Sequence, residues 1–152
     1  MNVFSNPIAE PQMVESVEID TKQNQVEYGD VFFTTSSETP EEVGMSSVWL
    51  ERNNNTYLNS FCFGYRPTVP IDPYYLAYML RSDSFRERII YLAQGISRYN
   101  ISKNGVMEIN VSIPISEEQK LIGSYLRRLD VLITLHQRKD KPVNSPKRRK
   151  QT

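Results

Sequence analysis

The alternation of apolar and polar positions predicts a half-buried strand over residues 108–113, directly before a long amphipathic helix. Within that stretch the odd-numbered residues are apolar and the even-numbered ones are polar or charged. Pro114 ends the strand because proline cannot donate to a ladder. Ser116 is then suited to cap a helix, and Gln119, three residues later, completes a capping box. The change of period predicts a helix over residues 116–139.

This helix carries an apolar stripe with heptad spacing, which is typical of a helix that pairs with another helix. The same pattern also fits an ordinary surface helix that faces its own core. Its place after all the other elements, ahead of a basic tail broken by two prolines, favours a projecting helix that binds a partner. About three heptads are marginal for an isolated coiled coil, so monomer and dimer both stay open. The predicted helix-pairing residues are Ile122, Tyr125, Leu129, Leu132 and His136.

The first half of the chain is rich in β-forming residues between turn-prone stretches. Strands are predicted at residues 14–19, 31–35, 46–52 and 57–65. The last two would form a hairpin across the asparagine-rich turn at 53–55.

Two helical segments follow these strands. Asp72 is a suitable N-cap with Pro73 at the first helical position, and a second cap at 82–84 restarts the helix. Gly95 is a natural helix stop, and residues 96–105 are predicted as a polar loop. Several strands, a helix pair, a strand and a long helix predict an α+β fold with a mixed β-sheet.

Charge is balanced over the whole chain but not along it. Residues 1–80 carry 3 basic and 11 acidic side chains, whereas residues 81–152 carry 15 basic and 7 acidic ones. A basic half suggests a phosphate-bearing partner. A solvated helix face with a disordered tail accounts for the same charge equally well.

Length and composition predict one soluble domain. The chain has 152 residues, and no apolar run approaches the ~20 residues of a membrane span. The first residues lack the charged and apolar regions of a signal peptide. With Cys62 as its one cysteine, the chain is predicted to be cytoplasmic.

The inventory of reactive side chains argues against most enzymes. The chain has one histidine and one cysteine, far apart in sequence, whereas a zinc site needs about four ligands at close spacing. Its six glycines are scattered singly, so no phosphate-binding loop is predicted. We therefore expect no catalytic residues, no cofactor and no metal, although a free-standing nuclease or methyltransferase stays open as an alternative.

Two polar segments follow apolar elements and carry side chains that suit nucleic acid. Hydroxyl groups can bond phosphates or base edges. Arginine and lysine suit phosphate or guanine, asparagine suits adenine, and tyrosine can stack. Turns and surface loops of this composition also occur in many proteins that bind no DNA. The predicted DNA-binding residues are Thr34, Thr35, Ser36 and Ser37 in the first segment, and Arg98, Tyr99, Asn100, Ser102 and Lys103 in the second.

The order and spacing of several short stretches resemble the specificity subunits of type I restriction–modification systems. The most specific stretch is Ile-Pro-Ile-Ser-Glu-Glu-Gln-Lys-Leu-Ile at 113–122, which resembles the end of that family's recognition domain and the start of its conserved spacer helix. The resemblance covers residues 26–139 and includes residues 29–34, 57–67, 72–80 and 93–102, together with Leu129, Asp130 and Ile133.

The resemblance implies a non-catalytic subunit whose α+β target-recognition domain reads a DNA half-site. The family's spacer helix pairs with another such helix, and partner subunits methylate adenine or cut DNA. Expected partners are therefore double-stranded DNA, the methyltransferase subunit and, through it, the restriction subunit. A second copy of the chain or another specificity half is the expected partner of the helix.

The resemblance also divides the chain. Residues 1–115 would be a recognition domain that lacks its N-terminal part, residues 116–139 the spacer helix, and residues 140–152 a flexible basic tail. A full subunit of the family has two recognition domains and two spacer helices, and this chain has room for one of each. A functional half, a fragment, and a remnant that pairs through its helix without binding DNA all stay open.

Overall fold

The computed structural model of the chain describes residues 3–11, 24–52, 55–58 and 60–139. Within these ranges a short 3-10 turn precedes six strands and four α-helices. The strands are β1 (Ile8–Ala9), β2 (Val31–Thr34), β3 (Ser36–Ser37), β4 (Ser46–Trp49), β5 (Cys62–Tyr65) and β6 (Tyr99–Asn100). The helices are α1 (Pro73–Met79), α2 (Asp83–Leu92), α3 (Lys103–Met107) and α4 (Ser116–Lys139).

The main sheet is built around β2. Its strand order is β1-β4-β2-β5, with β1 parallel to β4 and both neighbours antiparallel to β2. Val31, Phe32 and Phe33 are all buried, as expected for a strand that is covered on both faces. The mixed sheet and the helices confirm the predicted α+β fold.

The predicted hairpin between residues 46–52 and 57–65 is wrong. Strands β4 and β5 do not pair with each other, because β2 lies between them: Val31 is opposite Val48 on one side and Tyr65 on the other. An apolar strand that is buried on both faces also needs both backbone edges paired. Pairing with the two flanking strands satisfies both edges of β2.

Two further predicted elements differ in the structure. The predicted loop at 96–105 contains β6 and the start of α3. Residues 108–113, predicted as a strand, lie outside any strand: Glu108 is the C-cap of α3, and Ile109 packs against the core. Alternation alone cannot supply a neighbouring strand, and none of the described strands pairs with these residues. The predicted strand at 14–19 and the tail at 140–152 lie outside the described residues.

Helix α1 begins as predicted: Asp72 is its N-cap, and the Asp72 carboxylate accepts a bond from the backbone N–H of Tyr75 (2.9 Å). Helix α2 starts after Ser82, which confirms the predicted restart. Helix α2 ends at Leu92, however, and Gly95 does not stop it. Gly95 lies in the hairpin loop that the pair Gln94 and Asn100 closes. No helix in the described ranges combines the length and the apolar character that a membrane span requires.

The start of α4 docks on α1 through small and polar residues. Gln119 does not complete the predicted capping box: its Oε1 accepts from the backbone N–H of Asp72 (2.9 Å), and its Nε2 donates to the carbonyl of Pro114 (2.8 Å). One turn later Gly123 is buried against the backbone of Tyr75. Gln119 therefore joins the two helices, and Ser116 is the first residue of α4.

Replacing Gly123 with alanine is expected to destabilise this joint by about 1–3 kcal/mol, the usual cost of overpacking. A Cβ at this position would lie 2.6 Å from the backbone nitrogen of Tyr75 and 2.7 Å from Oδ1 of Asp72. Urea unfolding would give the change in free energy, and hydrogen exchange would show whether α1 and the start of α4 lose protection. Ser124→Ala is the matched control, since Ser124 is exposed on the same turn. Equal stability of the two variants would contradict the described packing.

Candidate nucleic-acid interface

The two polar segments singled out from the sequence meet in a two-stranded antiparallel ribbon of β3 and β6, called the polar ribbon below. Ser36 lies opposite Asn100, and Ser37 lies opposite Tyr99. The fold thus brings together segments that are about sixty residues apart in the chain. It does so at the end of β2, because only Thr35 separates β2 from β3.

Three polar side chains share one face of the polar ribbon. Ser36 and Asn100 lie directly opposite each other and therefore share a face, and the side chain of Arg98, which directly precedes β6, reaches the Ser36 hydroxyl. The Nε and Nη2 atoms of Arg98 each donate to the Ser36 hydroxyl at 3.2 Å, and Nδ2 of Asn100 donates to the carbonyl of Arg98 at 3.3 Å. Arg98 and Asn100 are exposed. This face therefore offers the donors and acceptors that match guanine and adenine edges.

The other predicted hydroxyl groups hold the local backbone in place. A hydroxyl that is already bonded to the protein is less available to a base edge. These residues therefore stabilise the backbone around the ribbon and add little to its exposed polar surface. The Thr35 hydroxyl donates to the Phe61 carbonyl (2.9 Å), the Thr34 hydroxyl accepts from the Met45 N–H (3.1 Å), the Ser37 hydroxyl donates to the Glu42 carboxylate (3.0 Å), and the Ser102 hydroxyl caps α3 by accepting from the Gly105 N–H (3.0 Å).

Tyr99 and Lys103, also predicted to bind DNA, lie in different surroundings. Tyr99 is half-buried and packs against the apolar core, on the face of the ribbon opposite to Arg98. Lys103 is exposed at the first position of α3 and lines a cleft of about 750 Å³ that it shares with Arg66. Lys103 thus presents its charge beside the ribbon, whereas the Tyr99 ring is partly buried against the core.

The charge of Arg66 is compensated within the same cleft. Its guanidinium binds the Asp30 carboxylate through two bonds of 2.8 Å and Glu27 at 2.7 Å. The hydrogen bond that Arg66 donates to Asp30, together with the negative charges of Asp30 and Glu27, raises the pKa of Arg66. Among the described residues Lys103 makes no such ion pair, so its positive charge in this cleft is not compensated.

Arg86 positions the loop beside the polar ribbon and was missed by the sequence reasoning. Its guanidinium donates to three backbone carbonyls of residues 41–44, at 2.7–2.8 Å, and burial lowers its pKa. The same loop carries Glu42, the partner of Ser37. A basic residue between two buried apolar positions of α2 was the available signal, because a buried arginine must find several acceptors.

The predicted helix-pairing residues form an exposed face of α4, called the helical seam below. Tyr125 is 63% exposed, Leu129 38% and Leu132 53%, and Ile122 and His136 are exposed as well. At 100° per residue the seam lies roughly 130° around the helix from the face that holds Gln119, Gly123, Arg127 and Asp130 against α1. Arg127 stacks over the Tyr74 ring at 4.3 Å, and Asp130 accepts from the Tyr78 hydroxyl at 3.4 Å.

The Tyr78–Asp130 contact also affects the tyrosine. Burial, with a further contribution from the negative charge of Asp130, raises the pKa of Tyr78 to about 12. The hydroxyl therefore stays protonated and able to donate at neutral pH. Helix α4 can dock on its own domain through this face while the seam stays accessible.

The described residues contain no group of three histidine, cysteine, aspartate or glutamate side chains that could share a metal ion. Two acidic residues of this region are engaged in other contacts: Glu42 accepts from Ser37, and Asp30 binds Arg66. The surface described above thus consists of a polar ribbon, a neighbouring lysine and an exposed apolar helix face.

Comparison with known proteins shows the family of the chain. The type I restriction modification DNA specificity domain matches residues 1–145 of the chain. The chain belongs to this family. Over 74 residues the specificity domain is 35% identical to the type I restriction enzyme StySPI specificity subunit of Salmonella potsdam. That match covers 49% of this chain and 15% of the relative, so the chain corresponds to a small part of the curated protein.

Proposed function

We propose that the chain reads a DNA half-site through the polar ribbon and directs the methyltransferase subunit of a type I restriction–modification system to it. The observation that carries this proposal is the meeting of the two polar segments on one exposed face, with Ser36, Arg98 and Asn100 side by side. The major groove of B-DNA, ≈ 12 Å wide, admits a two-stranded β-ribbon. Two strands are about 5 Å apart, so the ribbon and its side chains fit this width.

The residues of the ribbon divide into two roles. Arg98 is suited to guanine O6 and N7, and Asn100 to adenine N6 and N7, which are the usual partners of these side chains. Lys103 in the adjacent cleft is suited to a backbone phosphate, which fixes position without reading sequence. Thr34, Thr35, Ser37 and Ser102 support this surface, and Tyr99 anchors it to the core.

The chain contributes recognition and leaves chemistry to its partners. Methyl transfer and, through the restriction subunit, DNA cleavage belong to the other subunits of the complex, and the chain itself uses no cofactor or metal. The cytoplasm is the corresponding location. Failure to detect either methyl transfer or cleavage by the purified chain is the expected control result.

The helical seam supports a second part of the proposal, pairing with another specificity half. One recognition domain reads one half-site, and a second copy joined through the seam would supply the other. A closed two-fold pair matches a two-fold split site. The same seam supports the competing function of a protein-interaction piece that pairs without binding DNA, so DNA binding has to be measured directly.

Fluorescence anisotropy with double-stranded DNA, across a salt series, tests the proposal. The full chain would be measured alone and together with the methyltransferase subunit. Lys103→Ala is expected to weaken binding to all sequences by a similar factor and to reduce the salt slope by about one, because it removes one phosphate contact.

Lys120→Ala is the matched control. It removes the same charge from an exposed position on α4, away from the polar ribbon, and should leave the slope unchanged. If neither preparation binds DNA while the seam still supports association, the interaction-only function is correct. If the chain binds and both variants behave alike, the role of Lys103 is wrong.

A further inference from the structure

A short hairpin loop projects from the polar ribbon at residues 95–99. It is closed by the pair Gln94 and Asn100, whose backbones exchange two hydrogen bonds of 2.9 and 2.8 Å. Gly95 has a φ of 149°, and a Cβ there would lie 2.0 Å from the carbonyl oxygen of Arg98. The loop can turn this tightly because Gly95 has no side chain, and the turn places Ile96 two residues before Arg98.

The side chain at this tip is apolar. Ile96 is 97% exposed, the largest value among the large hydrophobic residues of the described chain. Single exposed hydrophobic residues are ordinary, but Ile96 is held two residues from Arg98 in a loop whose closing pair includes Asn100. Removing an isoleucine side chain from water is favourable. That gain is therefore available only when a partner covers the tip of the loop.

We propose that Ile96 contacts the C5-methyl group of a thymine in the major groove, and so discriminates thymine from cytosine within the half-site. This inference rests on the proposed DNA-reading function. In the major groove the thymine methyl is the apolar feature of the base edges, and apolar side chains recognise it. Apolar wedges that separate base steps act instead from the minor groove and bend the duplex. If the polar ribbon enters the major groove, the loop at residues 95–99 enters with it and brings Ile96 to the base edges, where the methyl group lies.

The experiment pairs a one-methyl change in the DNA with a change in the protein. The preferred site of the full chain, with the methyltransferase subunit where it is needed for binding, would first be selected from random duplexes. Each thymine of that site would then be replaced by deoxyuridine, which removes only the methyl group. Affinities would be measured for the wild type, Ile96→Ala and, as a conservative variant, Ile96→Val.

The expected result is that deoxyuridine at one or two positions weakens wild-type binding by about 3- to 10-fold, comparable to one buried methyl group. At the same positions Ile96→Ala should bind thymine and deoxyuridine DNA equally, and Ile96→Val should retain most of the discrimination. Because Ile96 is exposed, the variants should unfold at the wild-type temperature, which serves as the folding control.

The outcomes separate this inference from the proposed function. Equal effects of deoxyuridine on the wild type and on Ile96→Ala overturn the methyl contact, while DNA binding by the wild type keeps the function. A uniform loss in Ile96→Ala on every duplex, accompanied by DNA bending, indicates a wedge and also overturns it. Absence of DNA binding by the wild type overturns the proposed function and the methyl contact together.

Discussion

Replacing Arg98 with alanine is expected to lower affinity for the preferred DNA site by about 5- to 150-fold, with a much smaller effect on random DNA. This range corresponds to the ~1–3 kcal/mol of discrimination in a bidentate contact between arginine and guanine. The guanidinium is exposed and already oriented by the Ser36 hydroxyl at 3.2 Å, so part of the ordering cost is met before DNA arrives. Competition binding with specific and random duplexes measures the ratio.

Two variants sharpen this test. Arg98→Lys keeps the charge but not the planar fork, so it should preserve binding to random DNA and lose most of the preference for the selected site. Ser36→Ala removes the partner of the guanidinium and should cost less than Arg98→Ala. If Arg98→Ala retains the full preference for the selected site, the polar ribbon does not read bases.

The double variant Leu129→Lys with Leu132→Lys is expected to abolish association between helices, with a rise in the dissociation constant of about a thousandfold or more. Each leucine buried in a helix pair contributes about 1.5–3 kcal/mol, and both copies carry the change. Sedimentation velocity over a range of concentrations measures the association. The helix content should not change, because α4 docks on α1 through Gln119 and Gly123, which lie on another face.

Val131→Lys is the matched control for the seam. Val131 is 50% exposed and apolar but lies outside the heptad positions of the seam, so the same chemical change there should leave association intact. Equal effects of Val131→Lys and the double variant would indicate that any added lysine on α4 prevents association, whether or not it lies in the seam. A wild-type chain that stays monomeric and binds no other specificity half would show that the seam does not pair.

The contrast between the two faces of α4 shows what hydrophobic pattern can and cannot predict. The seam was found from sequence because its apolar residues recur at heptad spacing. The face that holds the helix on its own domain escaped notice because it uses a glycine, a glutamine and charged side chains. Close approach at Gly123 and the two-way hydrogen bonding of Gln119 are properties of a contact, and no periodic signal marks them.

The candidate interface shows the same division. Composition identified both polar segments, and it suggested arginine and asparagine as base readers. Composition did not distinguish Arg98 from Tyr99. Arg98 lies on the exposed face of the polar ribbon, whereas Tyr99 packs on the core. The side to which each side chain points depends on the register of Ser36 with Asn100. Ile96 was overlooked since an apolar residue inside a predicted loop gives no sign of its exposure.

The sequence by itself determined the α+β class, the strand at Val31, the helix begun by Asp72 and the long helix from Ser116, because these depend on local period, caps and proline. The tertiary structure alone decided that β2 separates β4 from β5, that residues 108–113 stay outside the sheet and that two distant segments form one ribbon. Buried backbone N–H and C=O groups must find hydrogen-bond partners, and this requirement sets strand pairing and register. The partners come from distant parts of the chain, so local sequence cannot specify them.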